Sequence, residues 1–293
     1  MRALRAVNEQ RGAAGGRRSL CCCLCAAIAA LGAAGCATTT SPGAVGIHRT
    51  QTMLVSEQSV EKGAEKAYAS QVHEAQQQGK LNADPQLTAR VRGVADRLIP
   101  VTAAFRPDAP SWHWEINTLT TADMNAYAMP GGKIMVYSGL VEQLHLSDAE
   151  LAAVLGHEIS HALREHTRER VSRAYAQQAA LLGIALAVGA GPGSLDLANS
   201  VAQVTFELPH SRSQEAEADV MGLELMARAG YDPHAAVTLW TKMMAANKGG
   251  GSQFLSTHPS SANRIAEIER HIPEVEPLSA QALARDPPSA APP

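Results

Sequence analysis

The run His157-Glu158-Ile159-Ser160-His161, set inside the apolar stretch Leu151 to Leu163, constrains this chain more than any other feature. Residues four apart on a helix share a face one turn up, so His157 and His161 can turn their rings toward one ion. Glu158 lies about 100° round the helix, near enough to act on a water at that ion without binding it. The spacing is the zinc-hydrolase pattern H-E-x-x-H, two imidazole ligands and a carboxylate base. Ser147 and Glu150 make an S-x-x-E capping box that sets the helix start near Asp148. Leu151, Val154, Leu155, Ile159 and Leu163 then recur at helical spacing and predict one buried face. The helix is expected to run from about Asp148 to Arg173 or beyond. On it His166 lies about 180° from His157 and is expected at the surface, as is His145 in the polar lead-in.

The 293 residues suffice for one large or two ordinary domains, and the net charge of −3 comes with no basic stripe, so nucleic acid is not an expected partner. Aromatic residues make up only 4 % while alanine is plentiful, which leans helical. The five cysteines, Cys21, Cys22, Cys23, Cys25 and Cys36, all fall near the N-terminus. There Arg2, Arg5, Arg11, Arg17 and Arg18 precede an apolar run from Leu20 to Leu31 and the small residues Gly32-Ala33-Ala34-Gly35. That order describes a secretory signal over residues 1–35, too short in its apolar part to span a bilayer. Cys36 looks like the lipobox cysteine of bacterial lipoproteins; Ala33 stands where leucine is usual, so cleavage without lipidation is the alternative. After cleavage one cysteine remains, which leaves no disulfide and no cysteine-ligated metal site. Peptide deformylase, which adds a cysteine to H-E-x-x-H, is thereby excluded.

Along the mature chain, residues 36–50 read as the lipidated cysteine and a flexible tether, 51–273 as one folded domain, and the Pro/Ala-rich 274–293 as a disordered tail. Helices are expected within 53–79, from Asp84-Pro85 to Leu98-Ile99, over about 213–229, from Asp232-Pro233 to before Gly249, and over about 260–271. Trp112 to Asn117 alternates as a strand, and two short strands meet at Pro130-Gly131-Gly132. The apolar segment 179–190 is too short for a transmembrane span and reads as a core helix.

A catalytic zinc site needs a third protein ligand. The metzincin pattern would place glycine at 164 and histidine at 167, where this chain has Arg164 and Thr167. A carboxylate from a later helix is the alternative. Ser211-Arg212-Ser213-Gln214-Glu215-Ala216-Glu217-Ala218-Asp219 offers Glu215 and Asp219, four apart on one face, with Glu217 about 200° away and expected in solvent.

With these blocks the chain resembles the M48 family of zinc metallopeptidases, which includes Ste24-, HtpX- and Oma1-like proteases, and most resembles its bacterial periplasmic lipoprotein members. The likeness covers about residues 50–272. It rests on Asn125-Ala-x-Ala-x-Pro-Gly-Gly, His157-Glu158-x-x-His161, Glu215-x-x-Ala218-Asp219 after Ser211-Arg212, and His258-Pro259 followed by Arg264. It implies an α+β, mainly α-helical, zincin-like fold with a small sheet beside the H-E-x-x-H helix. It implies one Zn2+ held by His157, His161 and Glu215, with Asp219 orienting a ligating histidine. Glu158 would activate the zinc-bound water, and His258 would stabilise the oxyanion or act as a fourth, inhibitory ligand. Arg264 carries less weight, being placed like an ordinary solvated arginine. Asn125, Ala126 and Tyr127 would offer a sheet edge to an extended substrate chain. The expected function is zinc-dependent endopeptidase action on unfolded or misassembled envelope proteins, from a lipid anchor on the periplasmic face, at the outer membrane. A zinc-stabilised periplasmic chaperone without proteolysis is the rival, and Glu158 argues against it, since a purely structural site has no use for a base.

Overall fold

A computed structural model describes residues 36–187, 197–246, 253–259 and 263–285. The signal over 1–35, the glycines 249–251, the end of the apolar 179–190 segment and the last eight residues lie outside them. Two short strands, β1 (Cys36–Ala37) and β2 (Gln51–Thr52), pair antiparallel and are followed by helix α1 (Glu57–Gln77) and helix α2 (Pro85–Leu98). Ser56 caps α1, and Asp84 with Pro85 opens α2 as its side chain takes the amides of Gln86 and Leu87. Strand β3 (Glu115–Leu119) begins later than the alternation at Trp112 suggests, because Ala109–Ser111 form a 3-10 turn that Trp112 ends.

The three-stranded sheet has the order β3-β5-β4, where β4 is Ala126–Met129 and β5 is Lys133–Tyr137. β3 and β5 run parallel, β4 and β5 antiparallel, joined at Pro130-Gly131-Gly132 as expected. Both glycines sit at φ 78°, the left-handed region that a tight hairpin demands and that other residues resist. Strand alternation divides the buried side chains between two cores. Ala126, Ala128, Ile134 and Val136 join the main core, while Tyr127, Met129 and Met135 pack with Val60, Ala64 and Tyr68 of α1.

Helix α3 (Ser138–Gln143) leads to α4 (Asp148–Leu163), the H-E-x-x-H helix. Its capping box is complete: the Ser147 hydroxyl accepts the Glu150 amide at 3.3 Å, and Glu150 accepts the Ser147 amide at 2.8 Å. Every residue from Glu150 to Leu163 is buried, not one face alone. The other faces carry Ala152, Ala153, Gly156 and Ser160, small enough for neighbouring elements to close on all sides.

Nor does α4 continue to Arg173. It ends with Arg164 as C-cap, and Glu165 adopts φ 50° before α5 (His166–Ala187) sets off afresh. No glycine or proline marks this break. Of the apolar 179–190 segment, residues 179–187 are helical as expected, and their side chains lie outside the description.

There follow α6 (Leu197–Phe206), packed on α1, and α7 (Arg212–Arg228), which carries the acidic block. Ser211 and Gln214 form a second capping box at its start. α8 (His234–Ala246), the short α9 (Gln253–Thr257) and α10 (Arg264–Arg285) complete the domain. Two expectations are overturned here. The last helix runs to Arg285 through Pro273 and Pro277, so 274–285 are not a disordered tail. Each proline costs roughly 3 kcal/mol in a helix interior, but Ile268, Ile272, Val275 and Ala282 form a stripe buried against the domain.

Residues 36–50 are likewise no tether. Thr40, Val45 and Ile47 are buried, the Ser41 amide donates to the Phe105 carbonyl at 2.8 Å, and Ala44 and Val45 donate to Glu224 at 2.8 and 3.1 Å. The polar composition of this strap conceals buried partners supplied by distant elements. Among the described residues no helix is long and apolar enough to cross a membrane.

Candidate metal centre

The crossing of α4 and α7 builds the site. A Cβ on Gly156 would lie 2.8 Å from the Gly222 carbonyl oxygen, and one on Gly222 only 2.7 Å from the His157 amide nitrogen. The two backbones touch because neither position carries a side chain. Glu215 stands seven residues, about two turns, before Gly222, so the same contact turns it toward His157 and His161.

Both α4 histidines point Nε2 inward, 3.1 Å apart. Glu215 approaches with Oε2 3.6 Å from His157 Nε2 and Oε1 3.4 Å from His161 Nε2. His258, just after α9, places Nδ1 3.3 Å from His157 Nε2 and 3.1 Å from Glu215 Oε1. A tetrahedral zinc with ligands at about 2.0–2.2 Å has edges of about 3.3–3.6 Å between its donors. The observed separations of 3.1 to 3.6 Å lie close to that range, the donors are imidazole and carboxylate, and Glu215 Oε2 has no hydrogen-bond partner beyond an ion pair with Arg264 Nη2 at 3.2 Å. These residues fit zinc. His258 turns Nδ1 to the donor set and Nε2 toward Glu158.

Glu158 lies beside the donor set. Its Oε2 accepts the Ala128 amide of β4 at 3.0 Å, while Oε1 is buried without a hydrogen-bond partner, 3.6 Å from His258 Nε2. Burial pushes this carboxyl up to about 7, helped by the nearby Glu215 and opposed by His258 and the Ala128 amide. Burial also works to raise Glu215, yet His258, His161 and His157 hold it well below the usual carboxylate range. His157 and His161 are driven well below the ordinary imidazole range, chiefly by burial, which keeps them neutral as metal ligands must be. His161, the most exposed member of the cluster, is only 4 % exposed.

Asp219 sits where the sequence puts it, Oδ1 3.0 Å from His157 Nδ1. Burial raises it to about 7 against the pull of Arg264. Arg264 is no solvated arginine: it is 3 % exposed, lies 3.3 Å over the Trp240 ring and donates to Asp219 at 2.6 Å. His145 is exposed, as expected.

His166 and Glu217 are corrections. His166 is fully buried with Nδ1 2.8 Å from His161 Nδ1, and Glu217 is buried against His166, Arg164 and Arg49. The wheel that put His166 on the far side assumed an unbroken helix, and the turn at Glu165 swings it back. Glu217 leaves the Glu215 face as the helical wheel requires, but the strap covers that side. Sequence reasoning also missed His210, whose ring stacks on His258 with centroids 4.9 Å apart and whose amide donates to the Thr257 carbonyl. No spacing signal links it to the other histidines.

Asn125, Ala126 and Tyr127 are all buried. β4 is a sheet edge whose outward amides are engaged, that of Ala126 by the Asn125 side chain and that of Ala128 by Glu158, while the Met124 carbonyl just before the strand accepts the Phe254 amide. Segment 253–258 thus joins the donor set through His258 and touches the chain just before β4.

Two histidines on one helix, a glutamate from a second, and a further carboxylate hydrogen-bonded to an adjacent strand are the arrangement of a zincin-type metallopeptidase centre. Residues 85–272 match Peptidase family M48, and the chain belongs to that family of zinc-dependent metallopeptidases. It is 38 % identical over 169 residues to the mitochondrial metalloendopeptidase OMA1 of Schizosaccharomyces pombe, covering 56 % of this chain and 48 % of that one. It is 33 % identical over 147 residues to the metalloprotease LoiP of Escherichia coli (50 % and 58 % covered), and 26 % over 194 residues to YcaL of the same bacterium (66 % and 76 %). The chain therefore spans about half the length of the yeast OMA1 relatives it matches.

Proposed function

We propose that this protein is a zinc-dependent endopeptidase that cuts unfolded or misassembled proteins of the cell envelope, with zinc on His157, His161 and Glu215 and with Glu158 as general base. The observation that carries the reading is the donor set with edges of 3.1 to 3.6 Å and the free, buried Oε1 of Glu158 alongside. Zinc held there would supply Lewis acidity that acidifies water and polarises a peptide carbonyl. The chain's own residues do the rest. Glu158 is fixed through Oε2 by the Ala128 amide, which leaves Oε1 to take a proton from the attacking water and deliver it to the departing amine. Asp219 accepts from His157 Nδ1 and thereby fixes Nε2 inward. Once segment 253–258 moves aside, the β4 edge would pair with an extended substrate backbone, a mode tolerant of sequence and suited to unfolded chains.

Replacing Glu158 by glutamine should abolish cleavage of a casein-like unfolded substrate while one zinc per chain stays bound. Undiminished turnover would remove the general base, and an inactive wild type would favour the chaperone reading. We also propose that residues 1–35 direct export and that Cys36 carries a lipid anchoring the enzyme on the periplasmic face, at the outer membrane. Labelled palmitate should enter the wild type and not Cys36→Ser; equal labelling would refute the anchor.

A further inference from the structure

The two α4 histidines are braced differently. His157 turns Nδ1 directly to a carboxylate, Asp219. His161 turns Nδ1 to a second imidazole: His166 Nδ1 lies 2.8 Å away, and His166 Nε2 lies 3.0 Å from Glu217 Oε2. Protons can be assigned along this line in one consistent way. With His161 Nε2 facing the donor set, its proton rests on Nδ1, so His166 Nδ1 must accept. The His166 proton then rests on Nε2 and points at the Glu217 carboxylate. Every donor finds an acceptor in a region closed to water.

The line does not stop at Glu217. Arg49, from the strap that follows Cys36, donates to Glu217 through Nε at 2.7 Å and Nη2 at 2.9 Å. Its Nη1 and Nη2 also reach Glu169 at 2.6 and 2.9 Å. Arg49 thus bridges two buried carboxylates on α7 and α5 and locks the helix that carries His166 against the one that carries Glu217. The placement of His166 depends on the left-handed Glu165, φ 50°, a conformation costing on the order of 1–2 kcal/mol for a residue with a side chain. Arg106 and Arg168 hold that residue's carboxylate at 2.9 and 2.7 Å. This left-handed turn delivers His166 to His161.

We propose that His166 and Glu217 are positioning residues for the metal ligand His161, and that Arg49 carries this brace onto the N-terminal strap, so that zinc affinity depends on a segment remote in sequence from every ligand. The inference rests on His161 being a ligand, as proposed above.

The test is the zinc dissociation constant by chelator competition, with fold integrity followed by circular dichroism. Loss of a partner that orients a metal-bound histidine typically weakens binding about tenfold to a hundredfold. His166→Leu and Glu217→Gln should fall in that range, Arg49→Ala should weaken binding several-fold, and His166→Gln, whose amide oxygen can still accept from Nδ1, should restore most of the loss. Glu224→Gln, which perturbs the strap at Ala44 and Val45 without touching the relay, should bind zinc as the wild type does. Wild-type affinity in His166→Leu, or equal weakening in Glu224→Gln, would overturn the proposal. Nitrogen-15 NMR of the zinc-loaded wild type gives a readout that needs no variant. His161 should carry its proton on Nδ1, and a proton on Nε2 would be fatal to the relay. His161→Ala separates the two levels: if it keeps zinc the ligand assignment itself fails, whereas if it loses zinc and His166→Leu does not, only the relay fails.

Discussion

The α4–α7 crossing and the strap over residues 39–52 both reach the metal centre, and they hold it by opposite means. At the crossing, backbone meets backbone: the missing side chains of Gly156 and Gly222 let two helices touch, and Glu215 and the histidines follow from that contact. At the strap, long side chains reach across gaps: Glu224 takes two strap amides, Gln51 donates to the Arg164 carbonyl, and Arg49 bridges two carboxylates. Backbone contact has no slack, whereas arginine and glutamate chains can rotate and re-form their bonds. The first region should therefore fix ligand geometry and the second should mainly supply stability, with Arg49 joining the two roles.

The largest effect is expected where there is no slack. Gly222→Ala places a methyl group 2.7 Å from the His157 nitrogen, a separation that only movement of a helix can relieve. Misplacing a reacting group by about 1 Å costs about a hundredfold in rate, so Gly222→Ala should lose zinc affinity and at least that much activity while keeping its helical circular dichroism. Zinc binding and turnover near wild type would mean that the crossing tolerates separation and that the ligands are positioned by something else.

These two regions also differ in how far they could be read from the sequence. The crossing helix announces itself, because a capping box, a helical run of leucines and two histidines at a spacing of four are all local. Glu215 and Asp219 are legible for the same reason, sharing one face of a second helix. What brings the helices together is legible only afterwards, since a glycine in a helix looks like a weak spot until its partner is known. Arg49, His166 and Glu217 share no spacing pattern with the histidines of α4 or with Glu215, and their meaning is wholly tertiary. His166 was assigned to the surface by a rule that holds on an unbroken helix. The break at Glu165 carries no glycine or proline, and a left-handed residue stabilised by Arg106 and Arg168 cannot be inferred from neighbours in sequence. The strap failed as a tether for a related reason: composition reports how polar a segment is, not whether buried partners await it.

A middle effect belongs to the strap. Glu224 is fully buried, and its loss in Glu224→Ala would leave the amides of Ala44 and Val45 and the guanidinium of Arg228 without their acceptor. Hydrogen bonds to a charged group contribute about 1.5–3 kcal/mol, so the variant should unfold at lower denaturant by roughly that amount. Its zinc affinity should hold within a few-fold, because Arg49 is anchored independently by Glu169 and Glu217. A loss of zinc as large as that of Gly222→Ala would erase the distinction between the regions.

The smallest effect separates the crossing from the helix that contains it. Ser147 caps α4 ten residues before His157, almost three turns from the metal ligands. If helix initiation set the site, weakening the cap should loosen the histidines. If the glycine contact sets it, the cap should matter only to folding, because Leu151, Leu155 and Ile159 are each fully buried and hold the helix in register regardless of its first turn. Ser147→Ala removes the acceptor for the Glu150 amide and half of the capping box. Such a change costs about 1 kcal/mol, which in a domain of this size lowers the melting temperature by roughly 2–4 °C. Calorimetry should record that fall in both the zinc-free and zinc-loaded protein, with an unchanged dissociation constant for zinc. A cap variant that weakened zinc binding tenfold would show that order at the start of α4 travels to its ligands, and the glycine contact would then be one support among several.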